Sequence, residues 1–196
     1  MKQSKKQSKP KPKFTVVIFY GPFAVGKYTT AKEFSDRTGF KFFHNHHTYD
    51  LVVELFARET LSADRLIEQL RLDIFKEVAE AKINVVTTYG YSADYISKTG
   101  FSDPAFVKRI QSIIEKEGGA VYFVHLTADP KVLLKRVTGA SRKKFKKLTD
   151  VSIMRKVLEK WKDWTTPAPV RHNIEIDNTK LSPKQVVQIV REIIEI

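Results

Sequence analysis

The residues with the most specific chemistry are two glycines and a lysine near the start of the chain. Gly21, Gly26 and Lys27 fit the spacing G-x-x-x-x-G-K, directly after the apolar run 14–20. Such a run is typical of a strand buried on both faces, and helical character begins after the lysine. In a strand–loop–helix setting, converging backbone N–H groups and a helix N-terminus attract an anion, and the lysine adds its charge at the terminal phosphates. The predicted nucleotide-binding residues of this loop are Gly21, Phe23, Ala24, Val25, Gly26, Lys27, Tyr28 and Thr29.

The position after the lysine departs from the usual pattern. Tyr28 stands where a Ser or Thr would normally ligate Mg²⁺, and Thr29 follows one residue later. The third predicted strand ends without an acidic residue, and Asp94 would be a late substitute for one. We therefore expect phosphates and water to hold most of the Mg²⁺ coordination, as this strongly hydrated ion permits. Thr29 is expected to bond an α- or β-phosphate and to approach Mg²⁺ only through the nucleotide.

A second polar group follows the predicted second strand, and it includes three histidines within four positions. Because ligands gather beyond the carboxyl ends of parallel strands, these side chains are candidates for recognising an acceptor substrate. Two alternatives remain: His44 and His46 could ligate a metal, or the histidines could only pack a loop and cap a helix. Asp50 could be the N-cap of a following helix, or could orient an acceptor hydroxyl and take its proton. The predicted acceptor-binding residues are His44, Asn45, His47, Asp50, Tyr89 and Asp94.

A basic segment, 135–147, contains seven lysines and arginines and no acid. It could be a solvated surface helix or an RNA-binding patch, although Phe145 is its only aromatic residue. A third interpretation is a lid that closes over the transferred phosphoryl group and excludes water. Guanidinium groups bind phosphate oxygens bidentately, so Arg136 and Arg142 are the predicted lid residues. With Lys27 and Asp50, they complete the predicted catalytic set.

Length and composition limit the protein class. The chain has 196 residues, a formal net charge of +13 and no cysteine. Residues 1–13 hold six lysines and no acid, which predicts a disordered basic tail that could adhere weakly to nucleic acid. Residues 14–196 suit a single domain, with the lid at about 136–149. The absence of cysteine, membrane span and signal peptide favours a cytoplasmic protein with no membrane partner.

Strand-like and helix-like segments alternate along the rest of the chain. The predicted strands are 14–20, 40–44, 83–89, 120–126 and 172–176. The predicted helices include 27–37, 51–58 and 62–82, the last with an apolar stripe of Leu66, Leu70, Ile74 and Val78 beside Ile67 and Phe75. This alternation predicts an α/β fold with a parallel sheet and right-handed crossovers.

Four segments together resemble a known superfamily: GPFAVGKYT, HNHHTYD, the R-x5-R pair and IDNTKLSP. The chain is similar, over 14–196, to small P-loop kinases of the nucleoside-monophosphate-kinase and shikimate-kinase superfamily. The pairing of GxxAVGKxT with FHNHxTxD more narrowly resembles a group of ATPase-like proteins within it. The resemblance implies a P-loop NTPase three-layer α/β/α fold with a five-stranded parallel sheet ordered 2-3-1-4-5 and a helical lid. It also implies that Asn178 and Thr179 lie beside the adenine.

The resemblance does not identify the acceptor. The chain lacks the Asp-Gly-x-Pro-Arg stretch of adenylate-like kinases after the third strand, and the paired aspartates of shikimate-like kinases. The resulting expectation is an ATP- and Mg²⁺-dependent phosphotransferase acting on a small hydroxylated or phosphorylated metabolite. Two alternatives are a nucleotide-binding ATPase or switch that regulates a partner, and a polynucleotide kinase or nucleic-acid-binding protein.

Overall fold

The computed structural model describes residues 11–138, 151–159 and 161–196 of the chain. The predicted tail lies mostly outside these ranges, and so does the predicted lid beyond Thr138, including Arg142. None of the described helices is both long enough and apolar enough to span a bilayer.

The centre of the fold is a five-stranded sheet in which every neighbouring pair is parallel. Its order is β2-β3-β1-β4-β5, which confirms the predicted topology. All five carboxyl ends therefore lie along one edge, and the strand before the phosphate loop is the central one. The strands are β1 (Thr15–Tyr20), β2 (Lys41–Phe43), β3 (Val85–Tyr89), β4 (Ala120–Thr127) and β5 (Asn173–Asp177).

Helices cover both faces of the sheet and give the predicted α/β/α layers. In β1, Val17 and Phe19 belong to one apolar cluster, whereas Val16 and Ile18 belong to the other, as expected for alternating side chains. Helices α1, α5, α6 and α8 contribute to the first cluster, and α3 and α4 contribute to the second. The helices of the described part are α1 (Lys27–Thr38), α2 (His46–Val53), α3 (Leu61–Glu80), α4 (Asp103–Lys116), α5 (Pro130–Val137), α6 (Val151–Glu159), α7 (Trp161–Thr165) and α8 (Pro183–Ile194).

The segment after β2 differs from the prediction. Helix α2 begins at His46, so the predicted helix start at 51 is wrong and Asp50 is not its N-cap. Polar residues there suggested a loop, but α2 buries Thr48 and Val52, and Val52 packs with Ala63 and Ile67 of α3. Packing against a neighbouring helix stabilises a helical segment whose own propensity is modest.

Helix α3 also differs from the prediction in its start and in its buried face. Thr60, not Ser62, is the N-cap, and its hydroxyl accepts a hydrogen bond from the Ala63 N–H at 3.3 Å. The fully buried stripe is shifted by one position from the predicted one, and Leu66 is 40% exposed. The buried residues of α3 are Ala63, Ile67, Phe75 and Ala79.

Candidate functional site

The loop between β1 and α1 has a backbone shape that requires small residues. Gly21 has φ +130°, and a Cβ at this position would lie 2.2 Å from the carbonyl oxygen of Leu126. Gly26, the residue before α1, has φ +102°, and Ala24 is also left-handed with φ 63°. The chain thus curls tightly and opens directly into the N-terminus of a 12-residue helix. This arrangement fits a polyphosphate, because backbone N–H groups and the positive end of a helix favour anions.

Lys27 lies over this loop. Its ammonium group donates hydrogen bonds to the carbonyl oxygens of Gly21 at 2.6 Å and Pro22 at 2.9 Å. It also lies 5.9 Å from the ring centroid of Phe23, which is 36% exposed. The amine is therefore already positioned at the loop, where its charge can serve an incoming phosphate group.

A buried hydrogen-bond network fastens the far side of the loop. Asn178, only 4% exposed, donates from Nδ2 to the Val25 carbonyl at 2.6 Å. Arg136 donates to the Asn178 side-chain oxygen at 3.1 Å, to its backbone carbonyl at 3.0 Å, and to Val25 at 3.4 Å. Burial lowers the pKa of Arg136, and Asp177 partly opposes that shift. The structure thus joins Arg136 and Asn178, which the sequence assigned to the lid and to the adenine side, at the phosphate loop.

Thr179 belongs to the same region but faces away from Val25. Its hydroxyl donates to Asp177 at 2.5 Å and accepts from the Asp129 N–H at 2.8 Å. Hydrogen bonds from Thr179 hold the pKa of Asp177 below its usual value. Thr179 therefore ties the loop after β5 to the start of α5.

The two residues after Lys27 have different surroundings. Tyr28 packs edge-on against Phe42, with ring centroids 5.3 Å apart, and against His44 at 4.8 Å. Thr29 is exposed on the first turn of α1. The end of β3 offers Thr87 and Thr88 but no carboxylate. Over the described ranges, no set of three or more His, Asp or Glu side chains is arranged to hold a metal ion. The donors at this edge suit Mg²⁺ that enters on the nucleotide with most of its water.

The three histidines after β2 gather around His44. The His44 and His46 rings stack with centroids 5.2 Å apart, and His47 lies edge-on to His44 at 5.5 Å. His44 Nδ1 is 3.0 Å from the Thr88 hydroxyl of β3, so the cluster is fixed to the neighbouring strand. We call His44, His46 and His47 the histidine cluster. Asn45 is buried between its members in sequence, and Asp50 is exposed on α2.

Behind this cluster lies a buried acidic group that sequence reasoning assigned only to helix capping. Asp103 accepts hydrogen bonds from the Tyr89 hydroxyl at 2.6 Å and from the Ser92 N–H at 2.9 Å. Burial raises the pKa of Asp103 to about 6, although both hydrogen bonds oppose the shift. Burial also raises the pKa of Tyr89 well above its ordinary value. The Tyr89 hydroxyl, predicted to contact the acceptor, is thus engaged with Asp103, while the Asp94 carboxylate accepts from the Ser92 hydroxyl at 2.6 Å.

Sequence reasoning also missed Arg71 of α3. Its Nε donates to the Thr48 hydroxyl at 3.0 Å, and its guanidinium carbon lies 5.9 Å from the Tyr89 ring centroid. The signal was available, because Arg71 interrupts an i, i+4 series of buried residues between Ile67 and Phe75. A cation at such a position has to be held by specific contacts.

Comparison with known proteins rests on structure alone, since no protein-family model and no curated protein matches the chain. A sugar kinase from Janibacter sp. HTCC2649 is 16% identical with a TM-score of 0.63, covering 94% of this chain and 96% of that one. A shikimate kinase from Bacteroides thetaiotaomicron is 18% identical with a TM-score of 0.59, over 93% and 99%. A tunicamycin resistance protein from Deinococcus radiodurans is 18% identical with a TM-score of 0.58, over 93% and 96%.

At these identities the likeness concerns the fold. Each of the three solved chains is matched over nearly its whole length, so the likeness includes the sheet, the phosphate loop region and the helices on both faces. The chain therefore has the fold of the small P-loop kinases of the shikimate-kinase and nucleoside-monophosphate-kinase superfamily, as its motifs predicted.

Proposed function

We propose that the protein transfers the terminal phosphoryl group of ATP, with Mg²⁺, to a hydroxyl group of a small hydroxylated or phosphorylated metabolite. The observation that carries this proposal is one edge of the sheet. The phosphate loop follows the central strand β1, and the histidine cluster follows β2, two strands away across β3. Donor and acceptor sites side by side at the carboxyl ends of parallel strands are what a transfer between two bound molecules requires.

The nucleotide side has defined roles in this proposal. Backbone N–H groups from Gly21 to Thr29 bind the phosphates, and Lys27 moves its ammonium from the loop carbonyls to the terminal phosphate oxygens. The loop containing Asn178 and Thr179 lies beside the base. Mg²⁺ bound to the phosphates supplies charge neutralisation. Arg136, and Arg142 in the segment outside the described residues, stabilise the charge that develops on the transferred group.

The acceptor side positions the hydroxyl group that attacks. His44, Asn45 and His47 orient the acceptor, and Tyr89 and Asp94 border the same site. The acceptor oxygen forms a bond to the terminal phosphorus while the bond from phosphorus to the bridging oxygen breaks. ADP leaves with the electron pair, and Asp50 takes the hydroxyl proton. No covalent enzyme intermediate is needed.

An acceptor screen with the purified full-length chain, ATP and Mg²⁺ tests the proposal. Nucleosides, nucleotides, sugars, shikimate-like acids and short RNA are offered separately, and ADP production is compared with that in ATP alone. Production stimulated by one small acceptor supports the proposal. Slow hydrolysis that no acceptor stimulates would instead favour an ATPase or switch, and phosphorylation of RNA alone would favour a polynucleotide kinase.

A further inference from the structure

Arg71 is a cation on the inward-facing side of α3. Its neighbours one turn away on the same stripe, Ile67 and Phe75, are 6% and 4% exposed. The Arg71 side chain is half-buried between α2 and the end of β3. Burial lowers the pKa of its guanidinium, which means that the charged form has lost hydration there.

The protein satisfies only part of this guanidinium. Nε donates to the Thr48 hydroxyl, and the face of the group lies over the Tyr89 ring. Across residues 11–138, 151–159 and 161–196, Arg71 makes no other hydrogen bond and has no carboxylate oxygen within 4.0 Å. An arginine carries five N–H donors, so its two terminal nitrogen atoms retain theirs for another acceptor.

Asp103 does not fill this role. It attracts Arg71 electrostatically, but its two oxygen atoms accept from Tyr89 and Ser92. Glu68 contributes a more distant attraction, and its carboxylate accepts from the Thr99 hydroxyl at 2.8 Å. Neither acid forms an ion pair with Arg71, so a partly desolvated cation remains without a bidentate partner.

Its surroundings connect Arg71 to the acceptor side. Thr48, which holds Nε, donates its own hydrogen bond to the carbonyl of Asn45 at 2.8 Å, and Asn45 lies between two members of the histidine cluster. Tyr89, which lies under the guanidinium, directly follows Thr88, the residue that contacts His44. Arg71 is therefore held by the two elements that form the predicted acceptor site.

We propose that the acceptor substrate carries a carboxylate or phosphate group and that the terminal nitrogen atoms of Arg71 bind it. This inference rests on the proposed phosphotransferase function, because it concerns the substrate of that reaction. The two anions share the chemistry that matters, since each offers two oxygen atoms to the parallel donors of a guanidinium. Binding an anion would also compensate the lost hydration of the buried cation.

The first test reads the site without any turnover. Protein with ¹⁵N-labelled arginine is saturated with ADP and Mg²⁺, so that the phosphate loop is filled, and is then titrated separately with acetate and with inorganic phosphate. The Nε–H resonance of Arg71 is assigned by its loss in Arg71→Lys. We expect it to shift saturably, more strongly for the anion that the site prefers. Arg65, exposed on the same helix, is the control. An unmoved Arg71 resonance, or equal shifts at Arg65 and Arg71, would overturn the inference.

The second test uses acceptor pairs that differ only in charge: glucose with glucuronate and glucose 6-phosphate, and shikimate with its methyl ester. We expect the anionic member to be the substrate. Arg71→Gln should raise its KM by about tenfold or more, the value of a lost charge-assisted hydrogen bond, while the KM for ATP stays unchanged. Arg65→Gln should change neither constant, and an unchanged melting temperature shows that Arg71→Gln folds.

The outcomes separate the two proposals. Preferential phosphorylation of a neutral acceptor would overturn the inference and leave the proposed function standing. Failure of every acceptor would count against the proposed function, and the resonance titration would still decide whether Arg71 binds an anion.

Discussion

The nucleotide side and the acceptor side of this molecule are built in different ways. On the nucleotide side, one continuous stretch from Gly21 to Thr29 forms the site, and its ligand groups are mostly backbone N–H groups. On the acceptor side, the residues come from β2, α2, β3, α3 and α4, and the groups that matter are side chains. A site made of local backbone leaves a sequence motif, whereas a site assembled from distant side chains does not.

The two sides also differ in how fully their polar groups are satisfied. Arg136 makes three hydrogen bonds, to Val25 and to both the side chain and the backbone of Asn178. Arg71, on the acceptor side, makes one. The first arginine therefore stabilises the loop whether or not a ligand is present. The second keeps donors in reserve, which is the basis for assigning it a ligand.

The largest expected effect is on the nucleotide side. Lys27→Ala should lower turnover by roughly 10²–10³-fold or more, because it removes a charge positioned for the transferred group. Steady-state kinetics and ATP affinity by calorimetry measure the loss. Lys32→Ala, which removes an exposed lysine from the same helix, is the control and should behave like the wild type. Unaltered ATP affinity and turnover in Lys27→Ala would contradict the assigned site.

The second effect tests the backbone shape of the loop. Gly21→Ala should lower the free energy of unfolding by about 1–3 kcal/mol or more and disable ATP binding, because its Cβ would collide with the Leu126 carbonyl at 2.2 Å. Gly90→Ala, where a Cβ would meet no atom within 4 Å, is the matched control. Thermal unfolding of both variants measures the difference. Equal stability of the two would show that the loop is less constrained than its geometry indicates.

A third prediction concerns the acceptor side and its pH dependence. Because burial raises the pKa of Asp103 from 3.8 to about 6, the folded state binds this proton more tightly than the unfolded state. The contribution of Asp103 to stability is therefore present below pH 3.8 and is lost as the pH rises to about 6, by on the order of 3 kcal/mol.

Urea unfolding across this pH range measures the slope. Asp103→Asn should remove that part of the pH dependence, whatever it does to stability at any single pH. An identical pH profile in the variant would mean that Asp103 titrates as an ordinary exposed carboxylate.

The smallest effect should come from the network behind the loop. Asn178→Ala removes the hydrogen bond to Val25 and leaves a buried carbonyl without it, which should cost about 1–3 kcal/mol of stability. It should also weaken ATP binding without changing the KM of the acceptor, since the network contacts only the nucleotide side. An increased acceptor KM would break the separation of the two sides described above.

Sequence patterns predicted most of the framework. The apolar runs, the glycine spacing and the capping signals at Ser102 and Ser182 were sufficient for the parallel sheet and for helices α4 and α8, where the caps are formed as expected. The prediction was wrong between β2 and α3. There the helix start, the N-cap of α3 and the buried stripe depend on how α2 packs on α3, and a stripe shifted by one position is still apolar on both alternatives.

Taken alone, the sequence determined the strand–loop–helix around Gly21, the alternation of strands and helices, and the strand order through family resemblance. These features depend on short-range backbone preferences and on the period of apolar residues, which can be read along the chain. Tertiary structure alone decided that Arg136 and Asn178 meet at Val25, that Asp103 is buried against Tyr89, and that Arg71 lies half-paired between Thr48 and Tyr89. Such contacts join residues far apart in sequence, and their energies depend on burial and distance, which exist only once the sheet and its helices have packed.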